Sequence, residues 1–289
     1  CPEVTLLPAD GATIDALVVW DLDVALAVQA IEQHPTLQWV HLRWAGVPSE
    51  VLQALEGRDI PLTNGSGAHG VAMGEYVVGV VLAHYKRFHD MHAAQLRSEW
   101  IDGFGLRELR GQRVGIIGLG DLGGSIARVL RPFGVALRSL RRSGAPSADV
   151  DEVFATDRVD DFLDGLDVLV IAAPLTVETR GLIGANQLAR LAPGAFLVNV
   201  GRAAIVDEAA MLAALRSGQL DGAALDVFLT EPLPADSPLW TEPNVYISPH
   251  CADASPQSLE RGLALFVDNV ERFARGEQLR NVVDRQAGY

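Results

Sequence analysis

The chain has 289 residues, 49% of them hydrophobic and 21% charged, with a formal net charge of −14. That length exceeds what one hydrophobic core serves and predicts two domains. The acidic balance speaks against nucleic acid and anionic membrane surfaces as partners.

No apolar run approaches the ~20 residues of a membrane-spanning helix. No basic segment followed by an apolar one opens the chain, so export is not expected. Cys1 and Cys251 are the two cysteines; they build no disulfide framework, and a reducing, cytoplasmic setting fits.

Short apolar runs at 4–7, 16–20, 38–42 and 60–63 alternate with helix-like stretches at 23–33 and 49–55. Such alternation predicts a small parallel-sheet α/β domain. Ser66, Gly67 and His69 follow in a Gly-rich loop that reads equally as a turn or as a cleft lining. Apolar residues at helical spacing from Val71 to Arg97 (Val77, Val80, Val81, Phe88) predict one long linker helix. Residues 100–110 read as irregular.

From Arg113 the alternation restarts. Strands are expected at 113–117, 135–140, 167–172, 195–199, 222–226 and 245–248, and helices at 122–132, 159–163, 185–190, 207–217 and 256–275. Six strands with intervening helices make a Rossmann-type doubly wound parallel sheet. The last helix is expected to return to the first domain. The expected division is therefore 1–78 with 257–289 as one discontinuous domain, and 79–256 as the other.

The strand expected at 113–117 runs into Gly118-Leu119-Gly120-Asp121-Leu122-Gly123 and then a helix-like stretch. This is the fingerprint of a dinucleotide-binding βαβ unit. Gly118 permits the tight turn, Gly120 the approach of a pyrophosphate, and Gly123 the packing of helix on strand. The helix N-terminus then presents N–H groups and a positive dipole end to the phosphates. Four further motifs stand where strands should end: Ala173-Pro174-Leu175-Thr176, Asn199-Val200-Gly201-Arg202, Leu225-Asp226-Val227-Phe228 with Glu231-Pro232, and Ser248-Pro249-His250. In open α/β sheets the ligand lies beyond the carboxyl ends of the strands.

Other polar residues carry less. His84, His89 and His92 share the expected linker helix, but no Cys or carboxylate cluster completes a metal site. Cys251 adjoins His250; in an extended segment the two side chains point to opposite faces, which makes the thiol a spectator.

Taken together, the glycine loop, PLT, NxGR, LDVFxxEP and SPH motifs resemble the D-isomer-specific 2-hydroxyacid dehydrogenases, most closely their glyoxylate/hydroxypyruvate reductase branch. The likeness covers roughly residues 40 to 280. It implies a cofactor domain beside a smaller flavodoxin-like substrate domain, an active site in the cleft between them, and a homodimer. By motif match the catalytic set is Arg202, Glu231 and His250. Cofactor contacts fall to Gly118, Gly120, Leu122, Gly123, Pro174, Thr176, Val200 and Asp226, the last near the nicotinamide. The loop Arg43-Trp44-Ala45-Gly46-Val47-Pro48 resembles the substrate loop, with Trp44, Ala45 and Gly46 offering backbone N–H groups to a carboxylate.

The residue types suit reduction of a 2-keto acid to a 2-hydroxy acid. An imidazole titrates near neutral pH, so His250 suits the proton donor. Glu231 would orient the ring and favour its charged form. Arg202 offers a planar fork to a carboxylate and polarises the adjacent carbonyl.

NADP is the expected cofactor, with NAD also possible. After the strand expected at 135–140, where an NAD enzyme places a carboxylate for the ribose 2′-hydroxyl, stand Arg141 and Arg142. A guanidinium cannot accept that hydrogen bond but pairs with a 2′-phosphate; Arg142 is the stronger of the two.

Three features depart from the family pattern. The N-terminal domain is short, Trp44 and Pro48 replace a small residue and an Asp in the substrate loop, and Asp121 stands where relatives carry a basic residue. Two alternatives accompany the main reading. One is a dehydrogenase of the same fold acting on phosphite or formate, although formate enzymes carry Gln at the Glu231 position. The other is a dinucleotide-sensing corepressor-like protein.

Overall fold

Alternating β and α segments settle into two units in the computed structural model, which describes residues 14–20 and 23–285. One unit comprises 1–69 and 255–289, the other 70–254. The strand expected at 4–7 lies outside the described residues.

Among the described residues, the first unit contains three parallel strands in the order β1 (Ala16–Val19), β2 (Trp39–Leu42), β3 (Leu62–Thr63). Helix α1 (Val24–Gln33) follows β1, capped by the Asp23 carboxylate on the Leu26 N–H at 3.0 Å. Such a cap satisfies one of the donors a helix start leaves orphaned. Helix α2 (Ser49–Ala54) follows β2. Ile31, Val40, Leu42, Val51, Leu55 and Leu62 form its fully buried core, each contributing about 1.5–3 kcal/mol through burial. Late in the chain, helix α9 (Pro256–Ala274) starts on a Ser255 cap with Pro256 in its first turn. It sets Phe266 and Phe273 against Trp39 of β2, with ring centroids 6.3 and 5.3 Å apart.

The second unit opens with helices α3 (Gly70–Tyr85) and α4 (Phe88–Leu96). The single helix expected over 71–97 is thus two. Arg87 adopts a left-handed φ of 52°, with its guanidinium on Asp221 at 3.1 Å, and the Lys86 ammonium donates to the Arg107 carbonyl at 2.7 Å. Anchors from elsewhere in the unit overrule the local helical pattern at that point.

The parallel sheet behind these helices has seven strands, one more than expected. In chain order they are β4 (Arg113–Ile117), β5 (Ala136–Leu140), β6 (Glu152–Phe154), β7 (Val168–Ile171), β8 (Ala195–Asn199), β9 (Leu220–Leu225) and β10 (Val245–Ile247). Between them lie α5 (Asp121–Leu130), α6 (Val159–Leu163), α7 (Ala185–Leu188) and α8 (Glu208–Ser217). The added strand, β6, is three residues long on the sheet edge, too short for any periodicity to announce.

The spatial order is β10-β9-β8-β7-β4-β5-β6. The chain therefore leaves β4 in one direction and returns on its other side at β7, which creates a switch point between the carboxyl ends of these two strands. Alternate strand residues feed two cores. Ile117, Leu169, Ile171 and Leu197 face one side, and Ile116, Val168, Val170 and Phe196 the other. No helix among the described residues is long and apolar enough to cross a membrane.

Candidate active site

At the switch point the glycine loop takes the shape its sequence requires. Gly118 has φ +90°, and a Cβ there would stand 2.8 Å from the Ala173 Cα, so the loops after β4 and β7 meet at this residue. A Cβ on Gly123 would stand 1.9 Å from the Gly118 carbonyl oxygen, whereas at Gly120 nothing lies within 4 Å. The loop is closed on its packing side and open at the centre. The Gly124 N–H bonds to the Gly120 carbonyl at 2.9 Å, so the N–H groups of residues 121–123 precede the first bond of α5. These features fit a pyrophosphate. Leu122 is half-buried against the sheet, which leaves its backbone for any ligand.

Arg141 and Arg142 follow β5. Arg141 is half-buried, with its N–H on the Phe154 carbonyl; Arg142 is exposed. Near Arg142 lies Glu178, whose carboxyl is held below the usual carboxylate range, first by a Thr176 hydrogen bond and least by Arg142. Thr179, which no motif announced, shapes the loop after β7. Its hydroxyl accepts from the Thr176 N–H at 2.7 Å and donates to the Pro174 carbonyl at 2.8 Å.

The loop after β8 is built by Asn199. Its side chain accepts from Gly201 N–H at 3.1 Å and donates to the Arg202 carbonyl at 3.2 Å. Val200 is buried, while Arg202 is half-buried and donates to the Gly201 carbonyl at 2.7 Å. Burial lowers the Arg202 pKa, and the nearby Glu231 carboxylate opposes that shift.

Glu231 has two partners. One oxygen accepts from Phe228 N–H at 2.9 Å and the other holds His250 Nδ1 at 2.8 Å. Arg202, Glu231 and His250 therefore gather in one place. His250 sits in a turn with φ +51°, clasped by Asp226, which is 2% exposed. Asp226 accepts from the Ser248 hydroxyl at 2.5 Å and from the backbone N–H groups of Cys251 at 2.9 Å and Ala252 at 3.1 Å. The Tyr76 hydroxyl meets Ser248 Oγ at 2.7 Å. Since the Ser248 proton goes to Asp226, Tyr76 donates to Ser248. Neither Tyr76 nor Ser248 was among the expected site residues, although Ser248 stands in the SPH motif.

The left-handed residue at 250 also corrects the expectation of an extended segment there. Cys251 is exposed, and its thiol pKa is raised first by desolvation and then by the Asp226 and Asp253 carboxylates. A thiol so held is a poor nucleophile. His84 proves to be a core residue. It stacks on Phe196 at 4.2 Å and bonds Asp221 at 2.9 Å, and burial lowers its pKa to about 4. Among the described residues no three His, Cys, Asp or Glu side chains group as metal ligands.

In the first unit, Trp44, Ala45 and Gly46 follow β2. The Trp44 indole packs, half-buried, against that unit's core. The Trp44 carbonyl accepts from Gly65 N–H at 3.0 Å and the Ala45 carbonyl from Asn64 Nδ2 at 2.7 Å. Among the described residues, no acceptor binds the N–H groups of Ala45 or Gly46. Residues 66–69 form a turn beside them, with Ala68 N–H on the Gly65 carbonyl at 3.2 Å.

A doubly wound sheet, a phosphate-ready loop and a Glu–His pair with an adjacent arginine define a nicotinamide-dependent oxidoreductase. Residues 78–252 match the family model for the D-isomer specific 2-hydroxyacid dehydrogenase, NAD binding domain. Glyoxylate/hydroxypyruvate reductase A of Klebsiella pneumoniae (strain 342) is 40% identical over 222 residues, 76% of this chain and 70% of that protein. The Citrobacter koseri reductase of the same name is 34% identical over 291 residues, 98% of this chain and 90% of its own. Among solved structures, the NADPH-dependent glyoxylate/hydroxypyruvate reductase of Sinorhizobium meliloti, in complex with NADP and sulfate, superposes with a TM-score of 0.84 at 35% identity. It covers 96% of this chain and 86% of that one. A D-isomer specific 2-hydroxyacid dehydrogenase of Xanthobacter autotrophicus Py2, in complex with NADPH and MES, gives 0.82 at 34%, with 96% and 85% covered. The chain belongs to the D-isomer specific 2-hydroxyacid dehydrogenase family.

Proposed function

We propose that this enzyme reduces small 2-keto acids of the glyoxylate and hydroxypyruvate type to D-2-hydroxy acids, using NADPH. The observation that carries the reading is the His250–Glu231 pair at 2.8 Å with Arg202 beside it. NADPH, when bound, supplies the hydride. His250, with Nδ1 committed to Glu231, has Nε2 left to deliver the proton to the carbonyl oxygen. Arg202, desolvated and forked, polarises that carbonyl and grips the carboxylate. The N–H groups at Trp44, Ala45 and Gly46 receive the carboxylate from the first unit, which makes that unit the substrate domain and the second the dinucleotide-binding domain.

The cofactor assignment rests on Gly118, Gly120, Leu122 and Gly123 at the pyrophosphate, and on Pro174, Thr176, Val200 and Asp226 along the strand ends. Arg141 and Arg142 take the 2′-phosphate. The first carboxylate after β5 is Asp149, and Arg128 already pairs with it at 3.0 Å. NADH remains a poorer alternative. The reductase relatives favour this reading over phosphite oxidation or a corepressor role.

The protein acts as a cytoplasmic homodimer without nucleic-acid or membrane partners. Phe88, Leu96, Trp100, Ile101 and Leu106 are exposed apolar residues close together in the chain of the second unit, and a second copy would cover them; sedimentation of the purified protein tests this. The principal experiment follows NADPH and NADH oxidation with glyoxylate, hydroxypyruvate, pyruvate, 2-ketobutyrate and phenylpyruvate. Turnover of the first two with NADPH is expected. Absence of turnover across the panel would refute the proposal.

A further inference from the structure

We infer that Asn64 and Asn281 form a clamp that aims the N–H groups of Ala45 and Gly46 for carboxylate recognition; the inference rests on the role proposed above for residues 44–46. The argument starts from peptide planarity. In a trans peptide the carbonyl of one residue and the N–H of the next point in opposite directions. The Trp44 carbonyl shares a peptide with the Ala45 N–H, and the Ala45 carbonyl with the Gly46 N–H. Gly65 N–H holds the first carbonyl at 3.0 Å and Asn64 Nδ2 the second at 2.7 Å. With both carbonyls tied on one side, the two N–H groups are turned together to the other.

Asn64 is itself constrained. It is 5% exposed, and its Oδ1 accepts from Ser66 N–H at 3.2 Å. That bond fixes which end of the amide faces Ala45. Its backbone N–H donates to the Asn281 carbonyl at 3.2 Å. Asn281 closes the clamp from the segment after α9, where Val282 bridges Thr63 in antiparallel fashion. Its Nδ2 donates to the Ser66 carbonyl at 2.5 Å and, more weakly, to that of Asn64 at 3.4 Å. Its φ of 55° is left-handed, a conformation Asn tolerates better than most residues. Gly65 allows the close fit, since a Cβ there would stand 2.0 Å from the Arg43 carbonyl oxygen.

Asn64 and Asn281 are therefore positioning residues. Asn64→Asp keeps the acceptor for Ser66 but sets an anionic oxygen against the Ala45 carbonyl and adds a negative charge near the bound carboxylate. It should raise KM for glyoxylate by about tenfold or more, with kcat and the NADPH Kd, read by fluorescence titration, close to wild type. Asn281→Ala removes only the outer brace and should raise KM by about threefold. Oxalate, a carboxylate that cannot be reduced, should lose affinity in parallel when titrated calorimetrically into the NADPH-bound protein.

A wild type that neither reduces glyoxylate nor binds oxalate refutes the carboxylate role of residues 44–46. A competent wild type whose two variants keep its KM and oxalate affinity refutes the clamp alone. Should Asn64→Asp fail to fold by circular dichroism, Asn281→Ala decides.

Discussion

Replacing Glu231 with Gln changes one atom in the pair proposed to control proton transfer. In the native site Oε1 accepts from Phe228 N–H at 2.9 Å and Oε2 holds His250 Nδ1 at 2.8 Å. The backbone N–H can only donate, so the Gln carbonyl must stay on Phe228 and its NH₂ group must face the imidazole. Two donors cannot share that contact. His250 would then have to present Nδ1 as an acceptor, which only the neutral ring does. The charge-assisted bond lost contributes about 1.5–3 kcal/mol. The side chains of His250 and Glu231 are 49% and 35% exposed, so solvent screening favours the lower end. At about 1.4 kcal/mol per factor of ten in rate, a loss of that size slows turnover about tenfold. The variant should show that loss in kcat, with NADPH affinity unchanged. Measuring kcat for glyoxylate reduction, with the NADPH Kd read by fluorescence titration, checks this. A variant whose kcat equals that of wild type would refute the assigned roles.

Replacing Arg141 and Arg142 together with Ala should raise KM for NADPH by roughly tenfold to a hundredfold and leave NADH kinetics nearly unchanged; equal losses with both cofactors would sink the assignment. Arg202→Ala should raise KM for the keto acid and lower kcat, while His250→Ala should lower kcat by about 10²–10⁴-fold; NADPH binding, followed by fluorescence, should survive both. Acid should destabilise the fold through His41 and His84, each buried with its pKa lowered to about 4 from 6.5. Between those values the unfolded chain binds more protons, so this contribution is complete above pH 6.5 and is lost as pH falls toward 4. At pH 5 each histidine should cost about 2 kcal/mol. His84→Phe keeps a ring against Phe196 and leaves Asp221 with Arg87 and Arg107, so urea midpoints should fall less steeply with acid than in wild type.

The glycine loop and most of the sheet were legible in the chain itself. A glycine that must adopt φ +90°, or that would otherwise collide with a carbonyl, shows directly in the sequence, as at Gly118 and Gly123. Buried parallel strands such as Val168–Ile171 are apolar throughout and stand out for that reason. The Arg202, Glu231 and His250 set came from the resemblance of its motifs to the family, and the fold brings the three residues together. What only the tertiary structure decided comes from partners far apart in the chain. Arg87 breaks the helical pattern because Asp221, 134 positions away, holds it. Tyr76 meets Ser248 across 172 positions, and Asn281 meets Ser66 across 215. Three-residue β6 exists because β5 lies beside it to pair with. Periodicity records which face of an element is buried. It does not record which distant donor or acceptor completes a hydrogen bond, and those long-range bonds orient the His250 turn and the Trp44–Gly46 loop.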